Sequence, residues 1–546
     1  MTTTHDDHAR VNPWAVLAVL CLGLFMTLLD LTIVNIAIPS IIDGLAATLD
    51  QILWVLNAYS LVFAVLLITS GRLGDLLGPR NLFVGGLAVF TAASALSGLA
   101  HDPTQLILAR AAQGLGAALM SPQSLPLITS LFPPERRGAA FGMTGALGGL
   151  AVVAGPTLGG LIVTHWGWRW IFYVNLPVGL ITLALALVVI PDLRPGRRHR
   201  LDLLGVALAT AGLFGVVFGL IEGQRYDWGT VWSFVTIPAI IGAGVVLLLA
   251  FLASQALRQG AEPLLPFAIF RDRNYALMTV VLLAMGFAML GLFLPLTIYF
   301  QSVLGLSALA AGLTIAPQAL AMMVVAPASG ILADRFGGKV VLIPGLALFA
   351  IGMADIGWIA QADSGRWSFL PGLLISGVGM GCVWSPVYSI AMRDIEPRLA
   401  GVASGVISTI QELGGVLASA IVGALLQNRL ALALHDRAVQ DAAQLPAAFR
   451  DQFVAAFSDA AKGGLAVGAG QTGGSLAPPP GVPAQVVQQL QVLAHDVFTH
   501  AFVVAMRPTL VLPIVVVLLA ALACFAVQRR RAAAVETPAV EEAVAA

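Results

Sequence analysis

Three charged residues lie inside long apolar stretches of this chain. Asp30 stands in LLDLTIVNIAIP, Arg110 in LILARAAQGLGAA and Glu412 in STIQELGGVLAS. A charged side chain at the centre of a bilayer costs about 3 kcal/mol on insertion scales, so such residues usually face a partner or a water-filled pathway. Carboxylates and a guanidinium in such positions suit proton transfer and ion pairing.

The depths of Asp30 and Arg110 predict that they pair. Asp30 is about eight residues, or about 12 Å, from the outer end of its stretch, at 1.5 Å per helical residue. The stretch that carries Arg110 crosses in the opposite direction, and Arg110 is about six residues, or about 9 Å, from the outer end of that stretch. Pairing would lower the burial cost of both charges. Two interpretations stay open: a pair that opens when Asp30 is protonated, or a static structural pair.

Glu412 has no cationic partner left at its depth, about 18 Å from the inner end of its stretch. An unpaired buried carboxyl tends to be neutral, as a proton carrier requires, and it could also attract a cationic substrate. The alternative is a satisfied neutral acid without a transport role. Two further acids are interpreted as structural: Asp355 at a helix end reaching interfacial water, and Glu222 in a loop.

The elements that carry these residues are predicted to be transmembrane helices. The chain has 546 residues, of which 58% are hydrophobic and only 10% are charged, against about 25% charged in soluble domains. Its net charge of zero implies no basic face for nucleic acid. Fourteen apolar runs are long enough to span a bilayer: 14–38, 52–70, 81–100, 104–130, 138–163, 170–191, 202–222, 231–253, 275–301, 307–333, 339–361, 367–390, 400–427 and 508–527.

The distribution of basic residues predicts the orientation. If both termini are cytoplasmic, most Arg and Lys residues fall in cytoplasmic segments, as the positive-inside rule requires. The first run is too long for a typical signal peptide and is read as a retained helix. Segment 428–507 is then a long extracytoplasmic loop, with helical spacing at first and a Gly/Pro-rich middle. We interpret it as a solvated cap.

A repeat predicts two homologous halves. SGRLGDLLGPR at 70–80 aligns with SGILADRFGGK at 329–339, and the copies lie eight predicted helices apart. Two six-helix halves separated by two inserted helices would give this offset. The predicted organisation is an N-terminal tail 1–13, a first half 14–191, an insertion 192–274, a second half 275–527 that includes the long loop, and a C-terminal tail 528–546.

Five stretches resemble the major facilitator superfamily, and more narrowly its fourteen-helix drug:proton antiporter family. They are LLDLTIVNIAIP (28–39), GRLGDLLGPR (71–80), LILARAAQGLGAA (106–118), GPTLGG (155–160) and WGWRWIFYVNLPVG (166–179). The sequence departs from the family's loop motif in one place. Leu76 follows Asp75 where a basic residue is usual, whereas Arg335 follows Asp334 in the second copy.

The resemblance implies a proton-driven exporter that alternates between inward-open and outward-open shapes. It implies that acids on the helix of Glu412 take part in drug and proton handling. It also marks Gly155, Pro156, Gly159 and Gly160 as an antiporter helix, where small residues allow close packing or sliding. The charged loop residues of the repeat are expected to hold one state closed. The alternative is that they only follow the positive-inside distribution of basic residues. These residues are Arg72, Asp75, Arg80, Asp334, Arg335 and Lys339.

Polar and aromatic residues within the predicted helices are candidates for a substrate pocket. A mostly apolar cavity with a few polar groups would suit bulky amphipathic molecules. Gln113 lies one helical turn from Arg110 on the same face. The candidates are Asn57, Tyr59, Gln113, Gln123, Tyr299, Gln301, Gln318, Trp384 and Gln411.

The sequence therefore predicts an all-α membrane protein that exports amphipathic small molecules, such as drugs, antibiotics or a self-made metabolite. No P-loop, metal-ligand or nucleophile motif is visible, so energy must come from an ion gradient, a partner or nothing, and no cofactor or enzyme activity is expected. The family resemblance implies that the energy source is the proton gradient. The protein is expected to act as a monomer in a bacterial cell membrane. Alternatives are export of a lipid or peptide-like product, or a membrane sensor or scaffold that transports nothing.

Overall fold

The computed structural model describes residues 12–192, 201–223, 225–260, 263–445, 450, 451, 453–455, 457 and 484–528. Within these residues, thirteen helices are long and apolar enough to cross a membrane. They match every predicted span except 104–130. That stretch is two helices joined by a 3₁₀ turn at Ser121–Gln123. Most of both predicted tails and the Gly/Pro-rich middle of the long loop lie outside the described residues.

The helices fall into two groups and a connecting pair. The first group contains α1 (Pro13–Leu45), α2 (Leu49–Leu77), α3 (Pro79–Leu99), α4 (Pro103–Met120), α5 (Ser124–Leu131), α6 (Arg137–Trp166), α7 (Trp170–Tyr173) and α8 (Asn175–Val189). The connecting pair is α9 (Leu203–Glu222) and α10 (Ile237–Leu257), joined by a hairpin of β1 (Thr230–Trp232) and β2 (Val235–Thr236). The second group contains α11 (Arg273–Ile298), α12 (Ala308–Phe336), α13 (Gly338–Ile359), α14 (Leu370–Ala391), α15 (Ala400–Asp441) and α16 (Ala484–Cys524).

Capping residues and glycines set the helix ends. Thr48 and Gln51 form a capping box at the start of α2, and Asp102 accepts a hydrogen bond from the Gln105 amide at the start of α4. In the two repeat copies, Gly78 and Gly337 follow the last residues of α2 and α12 with φ of 89° and 92°. Only glycine adopts this conformation without strain, so the repeat encodes the same sharp helix end twice.

The helices that border segment 428–507 are longer than their predicted membrane spans. Helix α15 does not stop at 427 but continues to Asp441, and α16 begins at Ala484 rather than at 508. Leu430 and Leu434 of the first extension share a buried cluster with Phe498 and Phe502 of the second. The two extensions bury their apolar faces against each other. This packing keeps α15 and α16 helical beyond the stretches that are apolar enough to span a bilayer.

The two groups meet along two helix pairs, α6 with α12 and α2 with α15. Glycines allow the approach: a Cβ placed on Gly142 of α6 would lie 2.5 Å from the Ala326 carbonyl oxygen of α12. Helix α9 packs on both α2 and α15, where Leu61, Val65 and Val217 form a buried cluster. The connecting pair therefore covers the outside of one of the two seams.

Candidate functional site

The structure brings Asp30 of α1 and Arg110 of α4 together in a buried ion pair. The Arg110 Nη1 atom lies 2.5 Å from Asp30 Oδ2, and the two side chains are 1% and 0% exposed. Gln113 closes the network, because its Nε2 donates to Asp30 Oδ1 at 2.8 Å and its Oε1 accepts from Arg110 Nη1 at 2.8 Å. Such a fully partnered charge pair avoids most of the penalty of burying either charge alone.

Helices α2 and α8 complete the surroundings of the pair. Arg110 Nε donates to the Val55 carbonyl at 3.3 Å, and the guanidinium carbon lies 4.5 Å from the centroid of the Tyr59 ring. Asn175 at the start of α8 donates to Asp30 Oδ1 at 3.4 Å and to Ser94 Oγ at 3.1 Å. Sequence reasoning missed Asn175, although an amide in an apolar run was a usable signal.

A cavity of about 300 Å³ lies between the two helix groups. Glu412 faces it from α15, and of the described residues that line it, Glu412 alone carries a carboxylate. Leucine, methionine and aromatic residues make about half of its wall, isoleucine, alanine and glycine add further apolar surface, and serine and threonine contribute five hydroxyl groups. A mostly apolar cavity with few polar groups is the usual form of a site for amphipathic molecules.

Four of the predicted pocket residues line this cavity: Tyr59, Gln318, Trp384 and Gln411. Two predictions are wrong. Gln113 is fully buried within the ion-pair network, and Asn57 donates from Nδ2 to Glu222 Oε1 at 3.0 Å. Both point away from the cavity on their helices, a direction that hydropathy does not encode.

The remaining candidates lie elsewhere. Gln123 is buried and donates to the Ser70 carbonyl at 3.0 Å, and the Tyr299 hydroxyl donates to the Gln361 carbonyl at 2.6 Å. Gln301 is half-buried in the π-helical turn that follows α11. These three residues support the local fold and do not contact the cavity wall.

An aromatic wall lines the cavity together with Glu412, and sequence reasoning named its Trp384 but missed Tyr388 and Phe141. The rings of Trp384 and Tyr388, one turn apart on α14, stack at 6.2 Å, and Phe141 of α6 lies 5.9 Å from Tyr388. The Tyr388 hydroxyl donates to Gln411 Oε1 at 2.9 Å and so fixes the residue beside Glu412. The spacing of Trp384 and Tyr388 was the available signal, because residues four apart share a helix face.

The two acids of the repeat bind helix N-termini across the seam. Asp75 of α2 accepts from the amides of Gly401 and Val402 at 2.8 and 2.9 Å, at the start of α15. In the second copy, Asp334 of α12 accepts from the Gly138 and Ala139 amides of α6 at 3.0 and 3.1 Å. Neither α15 nor α6 has a side-chain cap from its own N-cap residue.

We call these two contacts the latch: Asp75 with the N-terminus of α15, and Asp334 with the N-terminus of α6. A carboxylate at a helix N-terminus satisfies free amides and interacts favourably with the helix dipole. Two serines add bonds across the same seam: Ser385 Oγ donates to the Gly138 carbonyl at 2.5 Å, and Ser404 Oγ donates to the Pro122 carbonyl at 2.6 Å.

Two basic residues of the repeat, Arg80 and Lys339, bind backbone carbonyls within their own helix group. Arg80 donates to the Leu187 carbonyl near the end of α8. Lys339 donates to the Phe525 and Val527 carbonyls just after α16, at 2.6 and 3.3 Å. Cations at helix C-termini bind free carbonyls there. Arg72 is buried and Arg335 is exposed.

The small residues of the predicted antiporter helix face α1 and α12. A Cβ placed on Gly155 would overlap the Thr32 Oγ1 atom of α1, and one on Gly159 would lie 2.9 Å from Ile33 Cγ1. Pro156 packs on Gly312 of α12, and Gly160 faces Leu309. Helix α6 is continuous through Pro156. The four residues therefore lie at the junction of α6 with both neighbours.

The structure also shows the surroundings of the two acids that were interpreted as structural. Glu222 is not a loop residue but ends α9, is 2% exposed and pairs with Arg225 at 3.0 Å. Its second partner, Asn57, is what allows this acid to be buried at the helix end. Asp355 is half-buried, and its Oδ2 atom is buried with no hydrogen-bond partner among the described residues. The three cysteines are free thiols.

A buried ion pair within the first helix group, a cavity on the seam between the groups and a repeated latch across that seam together define a membrane carrier of small molecules. The family model of the Major Facilitator Superfamily matches residues 20–419. The chain belongs to that family. It is a multi-spanning membrane transporter and not an enzyme.

Individual relatives agree with this assignment. An uncharacterised MFS-type transporter of Mycobacterium tuberculosis is 41% identical over 457 residues, covering 82% of this chain and 78% of the relative. The tetracenomycin C resistance and export protein of Streptomyces glaucescens is 34% identical over 480 residues, covering 86% and 87%. The crystal structure of the human organic anion transporter MFSD10 has the same fold, with a TM-score of 0.59, 13% identity and coverage of 93% and 100%. The bacterial relatives are consistent with a protein of the cell membrane.

Proposed function

We propose that this protein is a proton-coupled exporter of amphipathic small molecules, such as antibiotics or a self-made metabolite, and that it works as a monomer by alternating access. One observation carries the proposal. An apolar cavity lies on the seam between the helix groups, and Glu412 is the single carboxylate among the described residues that line it. The buried Asp30–Arg110 pair lies just behind the cavity wall. The export activity of the Streptomyces relative supports the same conclusion.

We further propose a fourteen-span topology. In it, α4 with α5 forms the fourth span and α7 with α8 forms the sixth. Helices α1–α8 and α11–α16 then make two six-span halves, and α9 with α10 is inserted between them. Both termini are cytoplasmic. The latch then lies at the cytoplasmic end, so the structure corresponds to a state that is closed toward the cytoplasm.

In this proposal the two intramembrane acids divide the work. Protonation of Asp30 removes the charge that Arg110 and Gln113 hold, and the released Arg110 biases the halves toward the other state. Glu412 faces the cavity, where it carries a proton or holds a cationic group of the substrate. An acid that must be neutral for one step and charged for another is suited to exchange a proton for a substrate.

The proposal is tested in everted membrane vesicles that contain the wild type, Asp30→Asn or Glu412→Gln. Ethidium or tetracenomycin C is added, and the lumenal pH is followed with a fluorescent dye. Wild-type protein should make the lumen more alkaline as substrate enters, and each variant should lose most of this signal. Asp355→Asn is the matched control, because it removes another acid of a membrane helix that lies outside the cavity and the ion pair.

Two results would count against the proposal. If no substrate moves protons in the wild type while substrate still accumulates, the coupling ion is not the proton. If both acid variants release protons at the wild-type rate, Asp30 and Glu412 are structural and the assigned roles are wrong.

A further inference from the structure

Tyr59 stands between the cavity and the buried ion pair. It lines the cavity from α2 together with Phe63, one turn further along the helix, and their rings stack at 6.1 Å. The other side of the Tyr59 ring covers the Arg110 guanidinium at 4.5 Å. Among the described residues, Phe172 also makes a cation–π contact with Arg110, but Phe172 does not line the cavity. Tyr59 alone combines both contacts.

The Tyr59 hydroxyl is a buried donor without a partner. The residue is 0% exposed, and its Oη has no hydrogen-bond partner among the residues that the structure describes. A buried hydroxyl is normally hydrogen-bonded, because leaving it unpaired carries a desolvation cost. Because Tyr59 lines the cavity, a substrate that displaces its ring can supply the missing hydrogen-bond partner.

The position of Tyr59 is fixed on its far side. A Cβ placed on Gly114 of α4 would lie 2.5 Å from the Tyr59 carbonyl oxygen, so a glycine is needed there for α2 and α4 to approach. One turn earlier on α2, Val55 accepts the hydrogen bond from Arg110 Nε. Helix α2 therefore holds Arg110 at two successive turns, once by a carbonyl and once by a ring.

We propose that Tyr59 is the positioning residue through which a substrate in the cavity acts on the Asp30–Arg110 pair. This inference rests on the proposed function. A polar group of the substrate, such as an amine of ethidium, binds the Tyr59 hydroxyl, which can donate or accept a hydrogen bond, and draws the ring from its place over Arg110. The guanidinium then loses its cation–π contact and shifts relative to Asp30, which changes how readily Asp30 takes a proton. Substrate binding and proton binding are thereby coupled without direct contact between the substrate and Asp30.

The test uses purified full-length protein in proteoliposomes with ethidium as the probe. Three variants are compared with the wild type: Tyr59→Phe, which keeps the ring, Tyr59→Leu, which removes it, and Phe63→Leu as the matched control. Ethidium affinity, ethidium flux and the proton flux that ethidium drives are measured separately. The ratio of the two fluxes is the decisive quantity, because a merely structural defect lowers both fluxes together.

Tyr59→Phe should bind ethidium within about threefold of the wild type, while protons moved per ethidium fall at least fivefold. Tyr59→Leu should lose coupling further, so that its ethidium flux no longer responds to an imposed pH gradient. Phe63→Leu should weaken ethidium binding and keep the wild-type ratio. If Tyr59→Phe and Tyr59→Leu both keep the wild-type ratio, the inference is overturned while the proposed function stands. If the wild type moves no protons with ethidium, the proposed function itself fails.

Discussion

Removing the two latch carboxylates should open the end of the transporter that they hold closed. Each of Asp75 and Asp334 accepts two amide hydrogen bonds from a helix of the other group. In Asp75→Asn or Asp334→Asn the amide oxygen can still accept one bond, but the NH₂ group faces the second amide. The variant also loses the charge that interacts with the helix N-terminus.

The expected size of the effect follows from these contacts. One charge-assisted hydrogen bond contributes about 1.5–3 kcal/mol, and a carboxylate at a helix N-terminus about 0.3–1 kcal/mol. Each substitution should therefore weaken the closed state by about 2–4 kcal/mol, or about 30- to 900-fold in the equilibrium between the two states. Because conformers of such proteins differ by only a few kcal/mol, the double variant should be mainly open at this end.

The assay is a distance measurement between spin labels on the two groups. Leu77 at the end of α2 and Phe336 at the end of α12 are exposed at 54% and 69% and accept labels in a background without native cysteines. Double electron–electron resonance in nanodiscs should show a longer distance in each variant, and most of all in the double variant. Glu396→Gln is the control, since it removes an exposed carboxylate that pairs only locally with Arg398. Unchanged distances in the double variant would refute the latch.

Two further predictions concern the connecting helices. Asn57→Leu should lower the free energy of unfolding of the purified protein by about 1–3 kcal/mol, because it leaves the buried Glu222 without one of its hydrogen-bond donors. The double variant Asn57→Leu, Glu222→Leu should recover most of this loss in a thermal unfolding measurement. For Asp202, at the start of α9, burial raises the pKa, but hydrogen bonds from Gln255 and the Gly205 amide and the charge of Arg258 outweigh it and hold the pKa below its ordinary value. A lowered native pKa contributes stability that is complete above the unfolded value near 3.9 and is lost as the pH falls through the native value. The melting temperature should therefore drop less between pH 5 and 3 in Asp202→Asn than in the wild type, and equal drops would contradict this assignment.

The sequence could predict those features that depend on helix geometry alone. Because every helical residue rises by the same distance, counting residues was enough to place Asp30 and Arg110 at a similar depth. In the structure, Arg110 Nη1 lies 2.5 Å from Asp30 Oδ2. The repeat located both latch acids. Their partners could not be read from the repeat, since Gly401 lies 326 residues from Asp75 and offers only a backbone amide. A pattern of side chains does not reveal a bond to an uncapped helix end.

Two features could not be predicted from the sequence: the direction in which polar side chains point, and the continuation of helices beyond their apolar stretches. Gln113 and Asn57 are polar residues on helices near the cavity, but the rotation of each helix turns them toward Asp30 and Glu222. The extensions of α15 and α16 carry charges such as Arg437, so hydropathy ends the predicted span before the helix ends. What maintains the helix there is packing between two segments far apart in sequence, and that contact is a property of the fold.

In the proposed mechanism, proton and substrate events meet in two helices. Helix α2 carries Tyr59 beside the ion pair and Asp75 at the latch, about 24 Å apart along a continuous helix. Helix α15 carries Glu412 in the cavity and, about 17 Å away, the N-terminus that Asp75 binds. Because Asp30 is fully buried and Glu412 faces the cavity, the two acids need not exchange a proton directly. A displacement of α2 against α15 changes the ion pair, the cavity and the latch together, so the seam between these two helices is where coupling must be sought.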